Sequence, residues 1–155
     1  MSGYSGIRIN YSGSTKAPTL DQLQPIVDLT DSINQYVGNP DLKQSFTHNI
    51  NLNYNFYNVL KERGLWAGIY GSMTQNGFVN QTIYDSSGKS NRQTVNTNGN
   101  YYFNLYSNYN FKWKKPNIHV SFGPNINISQ NISYIGFHGY PIQKNINKSQ
   151  SYGID

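Results

Sequence analysis

The 155-residue chain has no cysteine, only 12% of it is Asp, Glu, Lys or Arg, and no apolar run approaches the ~20 residues of a spanning helix. The first absence removes any disulfide framework and any thiolate metal site, and leaves the compartment open. The second is about half the charge that a soluble surface carries. The third excludes a helical membrane protein but not a membrane protein made of strands, despite a mean hydropathy of −0.66. Acidic residues are also missing from every alternating segment. Asp21, Asp28, Asp31 and Asp41 fall in one turn-rich stretch, Glu62 lies between Lys61 and Arg63, and Asp85 opens D-S-S-G-K-S. The formal net charge of +5 comes from bases scattered over loops and turns, without the stripe that nucleic-acid binding needs, so no nucleic-acid partner is expected.

What the chain does contain is alternation. Phe46–Phe56 reads F-T-H-N-I-N-L-N-Y-N-F, and the pattern returns at Tyr101–Phe111 and Ile118–Ile128. Side chains of a strand point alternately to opposite faces, so each segment has one apolar face and one uncharged, hydrogen-bonding face. Such strands predict an all-β, antiparallel up-and-down meander: a partial transmembrane β-barrel wall of about five to six strands with long external loops. Strands are expected near 3–14, 45–58, 65–84, 93–113 and 118–134, with the tail from Phe137 a loop. Connections then alternate long and short, as barrel loops and periplasmic turns do. Pro18 or Thr19 is placed to open a short helical turn in the first long connection.

Asparagine offers both donor and acceptor without charge, which suits a wet lumen. Asn49, Asn51, Asn53, Asn55, Asn104, Asn108, Asn110, Asn125 and Asn127 are the expected lumen lining. Phe56, Trp66, Phe111 and Trp113 sit beside the short turns and are the expected interface girdle. Asp21, Gln22, Gln24 and Tyr36 in the long connection are candidate solute contacts, with a loop packing against itself the competing explanation. His48, His119 and His138 lack ligand spacing, and G-K-S at 88–90 lacks the first glycine of a phosphate loop. No catalytic residue, metal or cofactor is therefore expected, and the chain is not read as an enzyme.

I-R-I-N-Y-S-G-S-T-K-A-P-T-L-D-Q-L-Q-P-I, then Y-V-G-N-P-D-L-K, then the N-x-N-x-N strand, resembles the barrel domain of TonB-dependent outer-membrane receptors. Within them it is most similar to the outer-membrane β-barrel family with a carboxypeptidase-regulatory-like leader. A-P-T-L-D-Q-L-Q-P (17–25) and G-N-P-D-L-K (38–43) carry the resemblance most specifically. It implies a bacterial outer-membrane location and import of bulky scarce solutes such as iron chelates, cobalamin, glycans or peptides. It also implies outer-membrane lipid, a plug with the rest of the barrel, and the TonB energy-coupling complex as partners. M-S-G-Y-S-G-I has no export signal, so residues 1–155 are expected to be one partial barrel domain, cut at both ends, with the plug elsewhere. The alternative is a secreted soluble β-sandwich, a carbohydrate-binding or adhesion module, which would hide its Ile, Phe and Leu in a private interior.

Overall fold

The computed structural model describes residues 3–28, 31 and 33–154; Asp155 and the side chains of Val27 and Asp28 lie outside that description. The first third of the chain forms β1 (Gly3–Lys16), α1 (Leu20–Leu23), β2 (Val27–Asp28), β3 (Asn34–Val37) and β4 (Ser45–Asn58). Then follow β5 (Arg63–Gln75), β6 (Gly77–Tyr84), β7 (Ser90–Thr97), β8 (Asn100–Trp113), β9 (Ile118–Phe122), β10 (Pro124–Phe137) and β11 (Gln143–Ile154). The fold is all-β, as the alternation requires.

Six long ribbons form an antiparallel wall in the order β1, β4, β5, β8, β9 with β10, and β11. β9 and β10 are one ribbon, because both pair with β8 in a single register: Phe122 opposite Tyr109 and Asn125 opposite Tyr106. The interruption is Gly123, where an added Cβ would stand 1.8 Å from the Ser107 carbonyl oxygen. Only glycine lets the two backbones approach so closely. Turns at 59–62 and 114–117 define one end of the wall, and longer connections lie at the other. Among the described residues β1 and β11 do not pair with each other, so the sheet is open.

The simple meander fails at the loop end. β5 and β8 pair up to Thr74 and Asn100, and β6 and β7 resume at Gly77 and Thr97 without a shift in register. One long hairpin therefore bends across both of its strands, at Asn76 (φ 50) and Gly99 (φ +108). The Asn98 carboxamide accepts from the Asn76 N–H at 2.7 Å and fastens the bend. Beyond it β6, not β7, lies beside β10, and the pairing is parallel. β7 takes β3 in parallel and β3 takes β2, so part of the first long connection becomes sheet.

That connection is held by its own chemistry. Thr19 caps α1, and the Gln22 side chain accepts from the Thr19 N–H at 3.0 Å to complete a capping box. The Asn39 N–H then donates to the Gln22 carbonyl at 2.6 Å.

The tail also differs from expectation: β11 is a strand, paired with β10 from Pro124 opposite Ile154 to Ile135 opposite Gln143. Lys144 and Lys148 occupy its apolar phase and hide the alternation from a reading based on hydrophobicity alone.

The wall has no private interior. Accessible surface totals 10788 Å², against about 7,900 Å² for a compact monomer of this mass. The buried apolar residues are Leu42, Val79 and Ile132, all toward the loop end, while Ile7, Ile9 and Tyr11 stand more than half exposed. A sandwich would have buried these side chains between two sheets. Gly123→Ala is expected to push β8 from β10 and to lower stability by more than the ~1–3 kcal/mol of ordinary overpacking. Urea unfolding in detergent micelles checks this, with Gly139→Ala, whose added Cβ meets nothing within 4 Å, as the comparison for a glycine at positive φ.

Candidate functional site

Residues directly opposite each other in a ladder share a face, so the register sorts every side chain of the wall. Ile9, Leu52, Ile69, Leu105, Ile126 and Tyr152 form one row across all six ribbons. Tyr11, Ile50, Gly71, Phe103, Ile128 and Gln150 form the next. At Gly71 an added Cβ would meet the Phe103 ring at 2.7 Å, so the missing side chain lets that ring lie over β5 toward Ile50. From the His48 row to the Asn58 row this apolar face spans about the 9–11 residues with which a tilted strand crosses a bilayer. Phe56 beside Leu65, Phe111 beside Val120 and Trp113 beside Ile118 continue it to the turn end.

Trp66 does not belong to that girdle. Its neighbours are Asn55 and Asn108, because it is one residue out of phase with Leu65 and Ala67. Nearness to a turn suggested the girdle; the parity of the strand decides the face.

All nine expected lining asparagines lie on the face that holds Trp66. The Asn104 amide donates to Asn127 Oδ1 at 2.7 Å, and the Asn127 amide donates to Asn125 Oδ1 at 2.9 Å. Tyr102 donates to Asn127 at 2.9 Å, Tyr70 to Asn49 at 3.2 Å, and the Asn53 amide to Asn51 Oδ1. The phenol of Tyr106 on β8 reaches across β5 to donate to Asn53 Oδ1 on β4, at 2.9 Å. Gly68 permits this, since a Cβ there would lie 2.4 Å from the ring.

Beside this bridge is an open cleft of about 480 Å³ whose lining includes Arg8, Asn53, Asn55, Trp66 and Tyr106. Sequence reasoning singled out the asparagines and passed over the aromatic residues of the same phase. Counting parity from Asn104 through Tyr106 to Asn108 would have found Tyr106.

A two-faced wall of this height, apolar on one side and amide-lined on the other, is what an outer-membrane barrel requires. The model of the outer membrane protein beta-barrel family matches residues 2–155. The chain belongs to that family. No curated protein and no solved structure matches it. This outer-membrane barrel protein accordingly resides in the bacterial outer membrane.

The four loop candidates of the barrel are not gathered into one site. Gln22 is occupied by the helix cap, and Tyr36 pairs its hydroxyl with Thr94 Oγ1 at 3.0 Å. The backbone at Gln24 abuts Gly38, where an added Cβ would lie 2.0 Å from the Gln24 carbonyl oxygen. Asp21 is exposed in the first turn of α1. The contacts of Gln22 and Gln24 are those of a loop packing against itself, whereas Tyr36 ties the loop to β7. Among the described residues no group of His, Asp or Glu is placed to hold a metal ion. G-K-S belongs to a hairpin tip, where Ser90 is buried and donates to Asn34 Oδ1 at 2.8 Å.

Charges at the two ends of the structure serve as local anchors. At the turn end Lys112 Nζ lies 3.0 Å from Glu62, and that hydrogen bond leads the effects holding the Glu62 carboxyl below its usual range. At the tip, Asp85 Oδ1 accepts from Ser87 Oγ (2.8 Å), Ser87 N (2.8 Å) and Lys89 N (2.9 Å). The Ser87 hydroxyl is the largest cause of the lowered Asp85 value. A depressed carboxyl contributes order that is complete above its unfolded value and lost as pH falls through the folded one. The Ser87 and Lys89 amide resonances are therefore expected to hold steady down to about pH 4 and to move below it. In Asp85→Ala the two amides are expected to lose their protection at neutral pH; in micelles, amide chemical shifts followed against pH read the first outcome and hydrogen exchange by NMR the second.

Proposed function

We propose that this chain is the solute-passing wall of an outer-membrane receptor of the TonB-dependent type, and not an enzyme. The observation that carries this reading is the unbroken register from β1 to β11, which keeps isoleucine, leucine and phenylalanine on one face and asparagine on the other. The apolar face is turned to outer-membrane lipid, and the asparagine face to a water-filled lumen. Asparagine suits a surface that bulky polar solutes must pass, because it exchanges hydrogen bonds with water and solute without trapping a charge. The resemblance of A-P-T-L-D-Q-L-Q-P and G-N-P-D-L-K supports the finer reading. On it, the partners are further barrel strands, a plug and an inner-membrane energy-coupling complex, and the cargo is a scarce chelate, cobalamin, glycan or peptide.

Two lysine variants at nearly one height test the orientation of the faces. Ile69→Lys is expected to cost about 2–4 kcal/mol of folding free energy in lipid vesicles, as a cation at the bilayer midplane does. Asn51→Lys, on the opposite face of the neighbouring ribbon, is expected to cost well under half as much. Equal penalties would defeat the assignment of lipid and water sides. For the energised step, removing the inner-membrane coupling complex is expected to abolish solute uptake by the parent receptor at unchanged receptor abundance. Undiminished uptake would make it a passive pore.

A further inference from the structure

We infer that the polar face carries a subsite for an acidic saccharide, formed by Trp66 and Tyr106 with Asn53, Asn55 and Arg8. The inference rests on the asparagine face being the wet one. Three features of the cleft, from different ribbons, point to this ligand chemistry.

The first is the indole. Trp66 is 42% exposed and, among the described residues, is the one indole on a face otherwise made of amides, hydroxyls, glycines and the phenols of tyrosines such as Tyr57, Tyr70, Tyr102 and Tyr106. It leans over Gly64, since a Cβ there would lie 2.8 Å from its six-membered ring. A ring laid along the wall in this way offers a flat surface to the C–H face of a sugar, an apolar body with polar edges.

The second is the hydrogen-bonding rim. The Tyr106–Asn53 bridge fixes one phenol and one carboxamide beside the indole, and the Asn55 carboxamide lies over Gly6, where an added Cβ would stand 2.8 Å from its Oδ1. Carboxamides both donate and accept, which matches hydroxyl groups that do the same. A flat aryl acid would leave them without partners.

The third is the charge. Arg8 is the one charged side chain on the polar phase of the described wall between Lys16 at the loop end and Lys112 near the turns. Among the described residues the ion pair is that of Lys112 with Glu62, and the Arg8 guanidinium pairs with no carboxylate. On that phase β4, β5, β8, β10 and β11 bring no acid to the cleft. A guanidinium fork takes a carboxylate through two parallel hydrogen bonds. The cleft thus selects a sugar that carries an acid group over a neutral one.

Trp66 and Trp113 are the only tryptophans, so Trp113→Phe leaves Trp66 as the sole reporter. With that variant folded in lipid vesicles, a disaccharide ending in glucuronic acid is expected to change the Trp66 emission saturably. It is expected to bind at least tenfold more tightly than the neutral disaccharide ending in glucose. Arg8→Gln is expected to erase the preference while keeping the weaker neutral binding, and Trp66→Ala, followed by calorimetry, to weaken both sugars tenfold or more. Equal affinity for the two sugars, or no saturable change with either, would overturn the subsite. Quenchers separate the two levels of the argument. Dissolved acrylamide quenching Trp66 without any sugar effect sinks the subsite alone, whereas stronger quenching by brominated acyl chains sinks the wet-face reading beneath it.

Discussion

The structure depends on backbone hydrogen bonding carried from ribbon to ribbon without a slip. In hydrocarbon an unpaired N–H or C=O costs several kcal/mol, so a wall survives there only if each strand satisfies its neighbour along the crossing length. The same ladder has a second consequence. Because side chains alternate with period two, a one-residue slip at any of its pairings would carry isoleucines to the asparagine face and asparagines to the apolar face. Pairing and two-sidedness are therefore one constraint. It holds from Ile9 through Leu52, Ile69, Leu105 and Ile126 to Tyr152.

Glycines on the central ribbon let each face be filled from the side. Gly71 admits the Phe103 ring on the apolar face, and Gly68 admits Tyr106 on the polar one. Each aromatic ring lies across a strand that lacks a side chain at that point, and Tyr106 reaches the strand beyond. A strand usually loses stability at an internal glycine, and covering it with a neighbouring ring offsets the loss. On the polar face the same device produces a hydrogen bond between strands that are not neighbours. The bridge that locks three ribbons also forms one rim of the open cleft.

At the loop end the ribbons leave the plane that the turn end obeys. The bend at Asn76 and Gly99 turns the β6–β7 hairpin so that it pairs parallel with β10 and, through its other strand, with β3. The first connection is thereby folded, and it holds the buried Leu42, while Val79 of the hairpin is buried as well. Stability here comes from local packing of the ordinary kind, in contrast to a wall whose apolar side chains remain uncovered within the chain.

By itself the sequence determined the class of structure: alternation and the exclusion of acids from strands specify antiparallel ribbons with opposed faces, and period two allows little else. It placed β4 at Ser45–Asn58 and assigned the nine asparagines to one side. It failed where identity and phase disagree. Trp66 looked like an interface residue by type and position, yet its parity puts it among asparagines, and the lysines of β11 concealed a strand whose pairing with β10 is complete. Only the tertiary structure decided which ribbons run parallel at the loop end, because that choice depends on two positive-φ residues more than twenty positions apart acting together. Only it, too, brought Arg8, Trp66 and Tyr106 around one cleft, since neighbours across a sheet are set by register and not by distance along the chain.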